Sequence, residues 1–426
     1  MKQPQKSRSY SIRFFYISIG LVAFMVAFNL VVDPLDIYRL VDRQGFNEIK
    51  PKISRYSRIA KPIQTERFQP QSLAFGSSRT EYGMNMSHPV WKSAGLPAFN
   101  NAVSAATIYD VSRLFQHAVA TAPVKTAVIG LDLFMFNAYL REFRAIEQEE
   151  LLAVTADGKA QTLHKVDQLL ITLLSKDIFS ASLSTLRKQK EKERKFTREG
   201  QRINSWQIKN KILPKGGFYK VFRNDTRGLA TEMWSNCRDN HFAYEGNGEN
   251  SFAIFRNMLE LAGEEGIELK LFISPSHAWL QEALYAMNLW DEFEQWKRDL
   301  VQEVSIANSR EKRNYIALWD FSGYTKYTTE KVPVEGDAET VMAWFIDPSH
   351  YADNLGNLLL DKMFGEEEAL EGLGVRLEAE NIDQHLSATR QLQDQYRENN
   401  PETVIWVQEM ANEVLELKRE TGMACG

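Results

Sequence analysis

Two short stretches carry side chains that together could move a proton and an acyl group. Gly76-Ser77-Ser78-Arg79 comes directly after a short apolar run, Leu73-Ala74-Phe75. A serine at a tight turn between strand and helix is held at the top of a sheet with its hydroxyl exposed. Backbone amides at the start of that helix are placed to stabilise an oxyanion. Such a turn alone says little, because turns are rich in glycine and serine. It gains meaning from Asp347-Pro348-Ser349-His350 far downstream. An aspartate three residues before a histidine can orient the imidazole from one short loop, so that the ring takes a proton from a serine hydroxyl. Ser78, Asp347 and His350 are therefore the expected nucleophile, orienting carboxylate and general base.

Other chemistries find less support. The two cysteines, Cys237 and Cys425, form no C-x-x-C pair, so neither a cysteine-rich metal site nor a dense disulfide framework is expected. A single bond between them is conceivable outside the cytoplasm. His88, His117, His164, His241 and His385 show neither H-x-x-x-H nor H-E-x-x-H spacing, and no zinc site is expected. No glycine-rich nucleotide motif occurs, so no cofactor is expected. A net charge of −5 argues against nucleic acid as the main partner. His277, in Ser274-Pro275-Ser276-His277, reads either as a residue on the rim of the active site or as a plain surface or capping histidine. Trp279, Trp290, Trp296, Trp319 and Trp344 read as core or rim residues, of the kind a glycan-binding cleft would also use.

The elements that must position Ser78, Asp347 and His350 follow from the alternation of short apolar runs with helical stretches from about Ser72 onward, the pattern of a parallel sheet. Leu73 to Phe75, Ala98-Phe99, Lys125 to Leu131, Glu268 to Ile273 and Tyr315 to Trp319 read as strands, and Thr107 to Ala120 as an amphipathic helix. Each long run ends in polar residues (Asp132, Ser274, Asp320), at the strand ends where open α/β sheets bind ligands. Between Asn137 and about Glu245 the strand rhythm stops, which marks an insertion. Within it, Arg187 to Arg202 holds eight Lys or Arg against three Glu. This stretch reads as a solvated helix face laced with i,i+4 pairs, or else as a surface for anionic lipid or glycan. Beyond Gly372 the chain reads as helical to its end. Asn400-Pro401 forms an N-cap and first-turn pair, and Val404, Val407, Met410, Val414 and Leu417 keep helical spacing. That stripe packs on its own domain or on a partner.

Phe14 to Val32 is an uncharged apolar run of 19 residues, close to the ~20 a helix needs to cross a bilayer. Lys2, Lys6, Arg8 and Arg13 precede it, and no acidic residue appears before Asp33. The positive-inside rule puts this end in the cytoplasm and the bulk of the chain outside, in the periplasm. A cleaved signal peptide is the rival reading, but its apolar core is usually shorter and a small-x-small cleavage site is lacking. The expected organisation is a basic tail (1–13), an inner-membrane anchor (14–32), a lead-in (33–70), an α/β domain (71–365) with an insertion at about 138–245, and a helical C-terminal extension (366–426).

The motifs resemble those of the SGNH hydrolase superfamily, whose blocks are G-D-S, N-x-G-x-S-G, G-x-N-D and D-x-x-H. Gly76-Ser77-Ser78 matches the first with Ser for Asp, Asn100 to Ala105 the second with alanine for both glycines, and Gly130 to Leu133 the third, with Asp132 in place of the oxyanion-binding Asn. Asp347 to His350 matches the last fully. The resemblance covers roughly residues 70–365 and implies a flavodoxin-like, SGNH-type parallel sheet with Ser78 as nucleophile. It places Ala102 and Asp132 at the oxyanion pocket. Ala102 offers a backbone N–H, whereas an ionised Asp132 offers no donor and repels developing negative charge. Three roles are open there: Arg79 pairs with Asp132 and neutralises it, Asn137 substitutes as donor, or Asp132 caps the next segment.

The G-S-S variant behind a single anchor is similar to the D-alanyl-lipoteichoic acid biosynthesis protein and, more loosely, to the alginate O-acetylation proteins. Such families work beside a membrane-bound O-acyltransferase on cell-envelope polymers. The resemblance thus implies a serine esterase or O-acyltransferase acting on acyl esters of an envelope glycan or lipid. The alternative is a catalytically weak accessory or polymer-binding protein of a membrane-bound acylation complex.

Overall fold

The computed structural model of the 426-residue chain describes residues 4–140, 148–190, 193–232, 242–246, 249–365, 370 and 372–421. Cys237 and Cys425, and with them the conceivable disulfide, lie outside the described residues, as does His241. In chain order the main helices are α1 (Pro4–Val32), α2 (Ser57–Phe68), α3 (Ser78–Gly83), α4 (Ile108–Thr121), α5 (His164–Leu174), α6 (Lys176–Arg187), α7 (Gly217–Glu232), α8 (Ser251–Glu264), α9 (Ala278–Ala286), α10 (Trp290–Glu311), α11 (Asp353–Phe364), α12 (Ile382–Asn399) and α13 (Pro401–Thr421). The chain divides into two compact units, residues 1–67 with 148–195, and residues 68–147 with 196–426.

The first unit is built on α1, whose stretch Tyr10–Val32, 23 residues of mean hydropathy 2.3, is long and apolar enough to span a membrane. Asp33 ends the helix. It turns into the left-handed region (φ 47°), and its carboxylate accepts the backbone N–H groups of Ile37, Tyr38 and Arg39 at 2.8–2.9 Å. Helices α5 and α6 pack on the end of α1. Residues 148–195 therefore belong with the lead-in rather than with an insertion of the α/β domain. Among its described residues the basic stretch is not a helix face either. Helix α6 stops at Arg187, and Arg194 instead pairs with Asp42 at 3.0 Å while Lys195 Nζ donates to the Pro51 carbonyl.

The second unit is α/β. Its strands β1 (Ser72–Phe75), β2 (Ala98–Asn100), β3 (Thr126–Leu131), β4 (Glu268–Ile273), β5 (Ile316–Asp320) and β6 (Val375–Arg376) form one sheet in the order β2-β1-β3-β4-β5-β6. All neighbours are parallel except β5 and β6. Strands β1 and β3 are buried throughout, as continuous apolar runs require when helices flank a parallel sheet. Register aligns Ser72 with Ala98 and Thr126, and Thr126 with Glu268, so the polar strand ends of β1, β3 and β4 emerge along one edge. Helix α4 starts as its sequence implies, with Thr107 and Asp110 forming a reciprocal capping box.

Two expectations need correction. Beyond Gly372 the chain is not wholly helical, because Val375–Arg376 adds the antiparallel edge strand β6, entered through a left-handed Gly374 (φ 63°). Asp320 at the end of β5 faces no open ligand edge. It accepts from Lys297 Nζ at 2.7 Å, His385 Nε2 at 2.8 Å and Ser322. Those partners hold its carboxyl far below the usual range despite complete burial. The middle of the C-terminal stripe packs within its own unit, while Val404 is only partly buried and Leu417 is exposed. Val407, Met410 and Val414 are buried, and Trp406 lies 5.1 Å from the Trp279 ring.

One contact sets the distance between the two motif-bearing segments. Gly83 at the end of α3 meets Gly356 in α11, and a Cβ at Gly356 would collide with the Gly83 carbonyl oxygen. A Cβ at Gly83 would run into the Tyr351 ring. Backbone touches backbone here, so neither position has room for a side chain. Gly356→Ala is expected to lower the unfolding free energy by about 1–3 kcal/mol, as overpacking of a tight core does. Asn354→Ala, at an exposed position of the same helix, should stay within about 0.5 kcal/mol. Equal denaturant midpoints for the two variants would remove the close contact as a constraint.

Candidate active site

Ser78 sits at the first position of α3, immediately after β1. The turn needs Gly76, whose φ is 143° and whose Cβ, if present, would meet the Thr80 side chain and the Gly130 carbonyl. Ser77 is the N-cap, its hydroxyl accepting the Arg79 N–H at 3.3 Å. Along the run from Ser72 to Met84 every residue is buried except Ser78, which is partly exposed. The fold thus presents a single hydroxyl to solvent from an otherwise sealed segment.

His350 Nε2 lies 2.7 Å from Ser78 Oγ, and His350 Nδ1 lies 2.6 Å from Asp347 Oδ2. A carboxylate at Nδ1 keeps the proton on that nitrogen and leaves Nε2 to accept the serine proton. The other oxygen of Asp347 accepts the backbone N–H groups of Ser349 and His350, both at 2.9 Å. Burial alone would raise the Asp347 carboxyl. The electrostatic attraction and hydrogen bond of the His350 Nδ1–H, with the two amides, outweigh burial and hold the carboxyl below its ordinary value. Tyr82 packs edge-on against the imidazole, ring centres 5.1 Å apart. Its phenol is raised by burial and stays neutral.

The loop carrying Asp347 and His350 is fixed from three sides. Ile346 N–H donates to the His350 carbonyl, His277 N–H donates to the Pro348 carbonyl, both at 2.9 Å, and Arg79 Nε donates to Ser349 Oγ at 3.0 Å.

The structure gives the remaining candidates different places. Asp132 is fully buried, accepts Ser77 Oγ–H at 2.6 Å on one oxygen and pairs with Arg79 at 2.8 Å on the other. Of the three possibilities open at this pocket, pairing of Asp132 with Arg79 is the observed one. Both carboxylate oxygens are engaged, and Asp132 makes no side-chain cap on the following turn. Ala102 is buried, and its N–H donates to Asn100 Oδ1 at 3.1 Å, so this amide is committed to its own loop. Asn137 Oδ1 accepts the Tyr139 N–H of its own segment at 3.2 Å. His277 is a capping residue rather than a rim residue. It is buried, Nδ1 accepts the Trp279 N–H at 3.3 Å, and Nε2 donates to the Glu330 carbonyl at 2.7 Å.

Several residues near the triad carried no motif. A cavity of about 470 Å³ is lined by Asp347 together with Lys211, Lys215, Lys220 and Asp225. Crowding by protein and then the negative charge of Asp347 push the Asp225 carboxyl up to about 6, although the residue still meets solvent. The lysine spacing between 209 and 220 was visible as local positive charge, but nothing in it pointed to Asp347. Comparison with protein-family models, with curated proteins and with solved structures finds no match.

Burial lowers His277 to about 4 from the ordinary 6.5. Between those values the unfolded chain binds a proton that the folded chain refuses, so the stability this group contributes is lost as pH falls from 6.5 toward 4. The shift corresponds to ~3 kcal/mol. Urea unfolding of the wild type should show this loss, and His277→Gln should flatten that part of the pH profile while lowering stability at pH 7. An unchanged slope in the variant would mean that His277 is not held neutral.

Proposed function

We propose that this chain is a membrane-anchored serine esterase or O-acyltransferase of the SGNH type. It works on the periplasmic side on acyl esters of a cell-envelope glycan or lipid, beside a membrane-bound O-acyltransferase. The observation that carries the reading is the relay from Ser78 Oγ through His350 to Asp347, with heavy atoms at 2.7 and 2.6 Å. These are the distances at which a general base removes a hydroxyl proton.

In the proposed reaction Ser78 Oγ attacks the ester carbonyl carbon while its proton passes to His350 Nε2. The ester C–O bond then breaks, and the leaving alkoxide takes that proton. The acyl-serine is attacked by water or by a glycan hydroxyl, whose proton passes to His350. Cleavage of the Ser78 acyl bond returns the proton to Oγ and releases the acid or the new ester. Asp347 stays ionised and faces the imidazolium formed in each half. The lysines around the cavity beside Asp347 favour a substrate that carries negative charge.

The accessory reading also has an observation in its favour. Both positions assigned by the resemblance to the oxyanion pocket are engaged elsewhere, Asp132 by Arg79 and the Ala102 N–H by Asn100. Loss of one such donor costs about 10²–10³ in rate.

The full-length protein treated with a fluorophosphonate is expected to gain the mass of one phosphonyl group. Ser78→Ala should gain none, and His350→Ala should react at least ~10³-fold more slowly. Absence of an adduct on the wild type, or equal labelling of Ser78→Ala, would defeat the esterase reading.

A further inference from the structure

The first unit contains a helix whose amphipathicity is inverted. In α5 the polar Gln168 and Thr172 face the protein. Gln168 Nε2 donates to the Leu151 carbonyl at 2.9 Å and to Glu66 at 3.1 Å, and the Thr172 hydroxyl lies 2.6 Å from Tyr38 Oη. Apart from Lys165, which reaches back to Glu66 at 3.0 Å, the exposed side is apolar instead. Leu163, Val166, Leu170 and Leu174 are 65%, 50%, 49% and 36% exposed. Their spacing of three, four and four residues puts them on one narrow arc of the helix. Water on one side would select the opposite arrangement.

What lies next to this stripe is the apolar helix α1. Asn29 Nδ2 donates to the Leu173 carbonyl at 2.9 Å, Ser182 in α6 donates to Asn29 Oδ1 at 2.8 Å, and the Phe28 and Phe179 rings are 5.2 Å apart. From Tyr10 to Phe24 the side chains of α1 are exposed, apart from a partly covered Ser18, and cover by α5 and α6 begins at about Met25. The bare part rises only about 22 Å, whereas a hydrocarbon core is ~30 Å thick. The missing ~8 Å, about five residues at 1.5 Å each, reaches to Asn29, the level at which α5 and α6 are attached.

We propose that α5 is an interfacial helix, its Leu163–Val166–Leu170–Leu174 face seated in the headgroup–acyl boundary of the bilayer that α1 crosses. The inference rests on the reading of α1 as a membrane span. It adds a second, non-spanning attachment, of the depth (5–10 Å) and polarity usual for a helix lying in the interface plane. Chain continuity and the Asn29 bridge favour lipid over a protein partner, since the helix that bears this face is tied to α1 at the level where the span ends.

The experiment uses the full chain, with Cys237→Ser and Cys425→Ser as background, in vesicles of phosphatidylethanolamine and phosphatidylglycerol. Nitroxide labels are placed one at a time at Val166→Cys, Leu170→Cys, Lys159→Cys and Ile17→Cys, and their collision rates with oxygen and with a water-soluble nickel chelate are compared. Labels at 166 and 170 should favour oxygen several-fold, as the label at 17 does, while the label at the exposed Lys159 favours nickel. If 166 and 170 favour nickel while 17 favours oxygen, the interfacial helix is overturned and the anchor stands. If 17 also favours nickel, the anchor is overturned and the interfacial helix goes with it.

Discussion

The geometry at Ser78 depends on a buried ion pair. Asp132 ends β3 inside the second unit, where an isolated carboxylate would cost several kcal/mol to keep ionised. It is tolerated because each oxygen has a donor, Ser77 Oγ at 2.6 Å and Arg79 at 2.8 Å. Arg79 then spends Nε on Ser349 Oγ. One guanidinium therefore ties together the nucleophile turn, the end of the central strand and the loop that carries Asp347 and His350. A planar, always-charged fork suits three fixed directions better than a flexible ammonium does. Because the same carboxylate holds Ser77, the cap of α3, it also sets the backbone from which Ser78 projects.

Close packing supplies the rest of the alignment. The Gly83–Gly356 contact brings the end of α3 onto α11 without side chains between them. Tyr351 covers Gly83 and is fully buried, while the adjacent His350 is partly exposed. Consecutive residues thus serve opposite ends, Tyr351 locking the loop into the core and His350 reaching Ser78. The His277 N–H bond to the Pro348 carbonyl braces the same loop from β4. A neutral His277 suits this place, since a charged imidazole there would need a counter-charge that the surrounding Phe222 and Phe345 rings cannot provide.

How much of this was legible in the sequence differs by element. Strands β3 and β4 were readable almost to the residue, β3 as a run buried throughout and β4 as an alternation that closes in the buried Leu271-Phe272-Ile273. The two-residue β6 has no period to read, and its pairing depends on a left-handed glycine and on a partner strand some 55 residues away. The first unit was not legible as a unit, since its two segments, 1–67 and 148–195, are separated by half of the sheet. Ser78, Asp347 and His350 could be named because residue type, order and the three-residue spacing of Asp and His constrain each other. The role of Asp132 could not be chosen among three, because only the folded chain decides which cation reaches it. Lys211, Lys215 and Lys220 carry no motif in the sequence, and only the fold sets them beside Asp347.

The departures at the oxyanion pocket shape what the proposed chemistry can be. With the Ala102 amide given to Asn100 and Asp132 given to Arg79, neither position that the resemblance assigns to the pocket offers a donor to the developing charge on a substrate oxygen. A hydrolase attacking with dilute, unoriented water gains little from such a site, since a missing donor removes ~2.7–4 kcal/mol of transition-state stabilisation. Transfer to a bound acceptor is affected differently. Holding the attacking hydroxyl in place is worth up to about 7–11 kcal/mol in well-aligned cases. The cavity that borders Asp347 sets Lys211, Lys215 and Lys220 against Asp225 and Asp347, a lining that under the proposed function would suit an anionic acceptor. Within the proposed function, transfer to a held acceptor asks less of this pocket than hydrolysis does, because positioning can replace the electrostatic term that the pocket lacks.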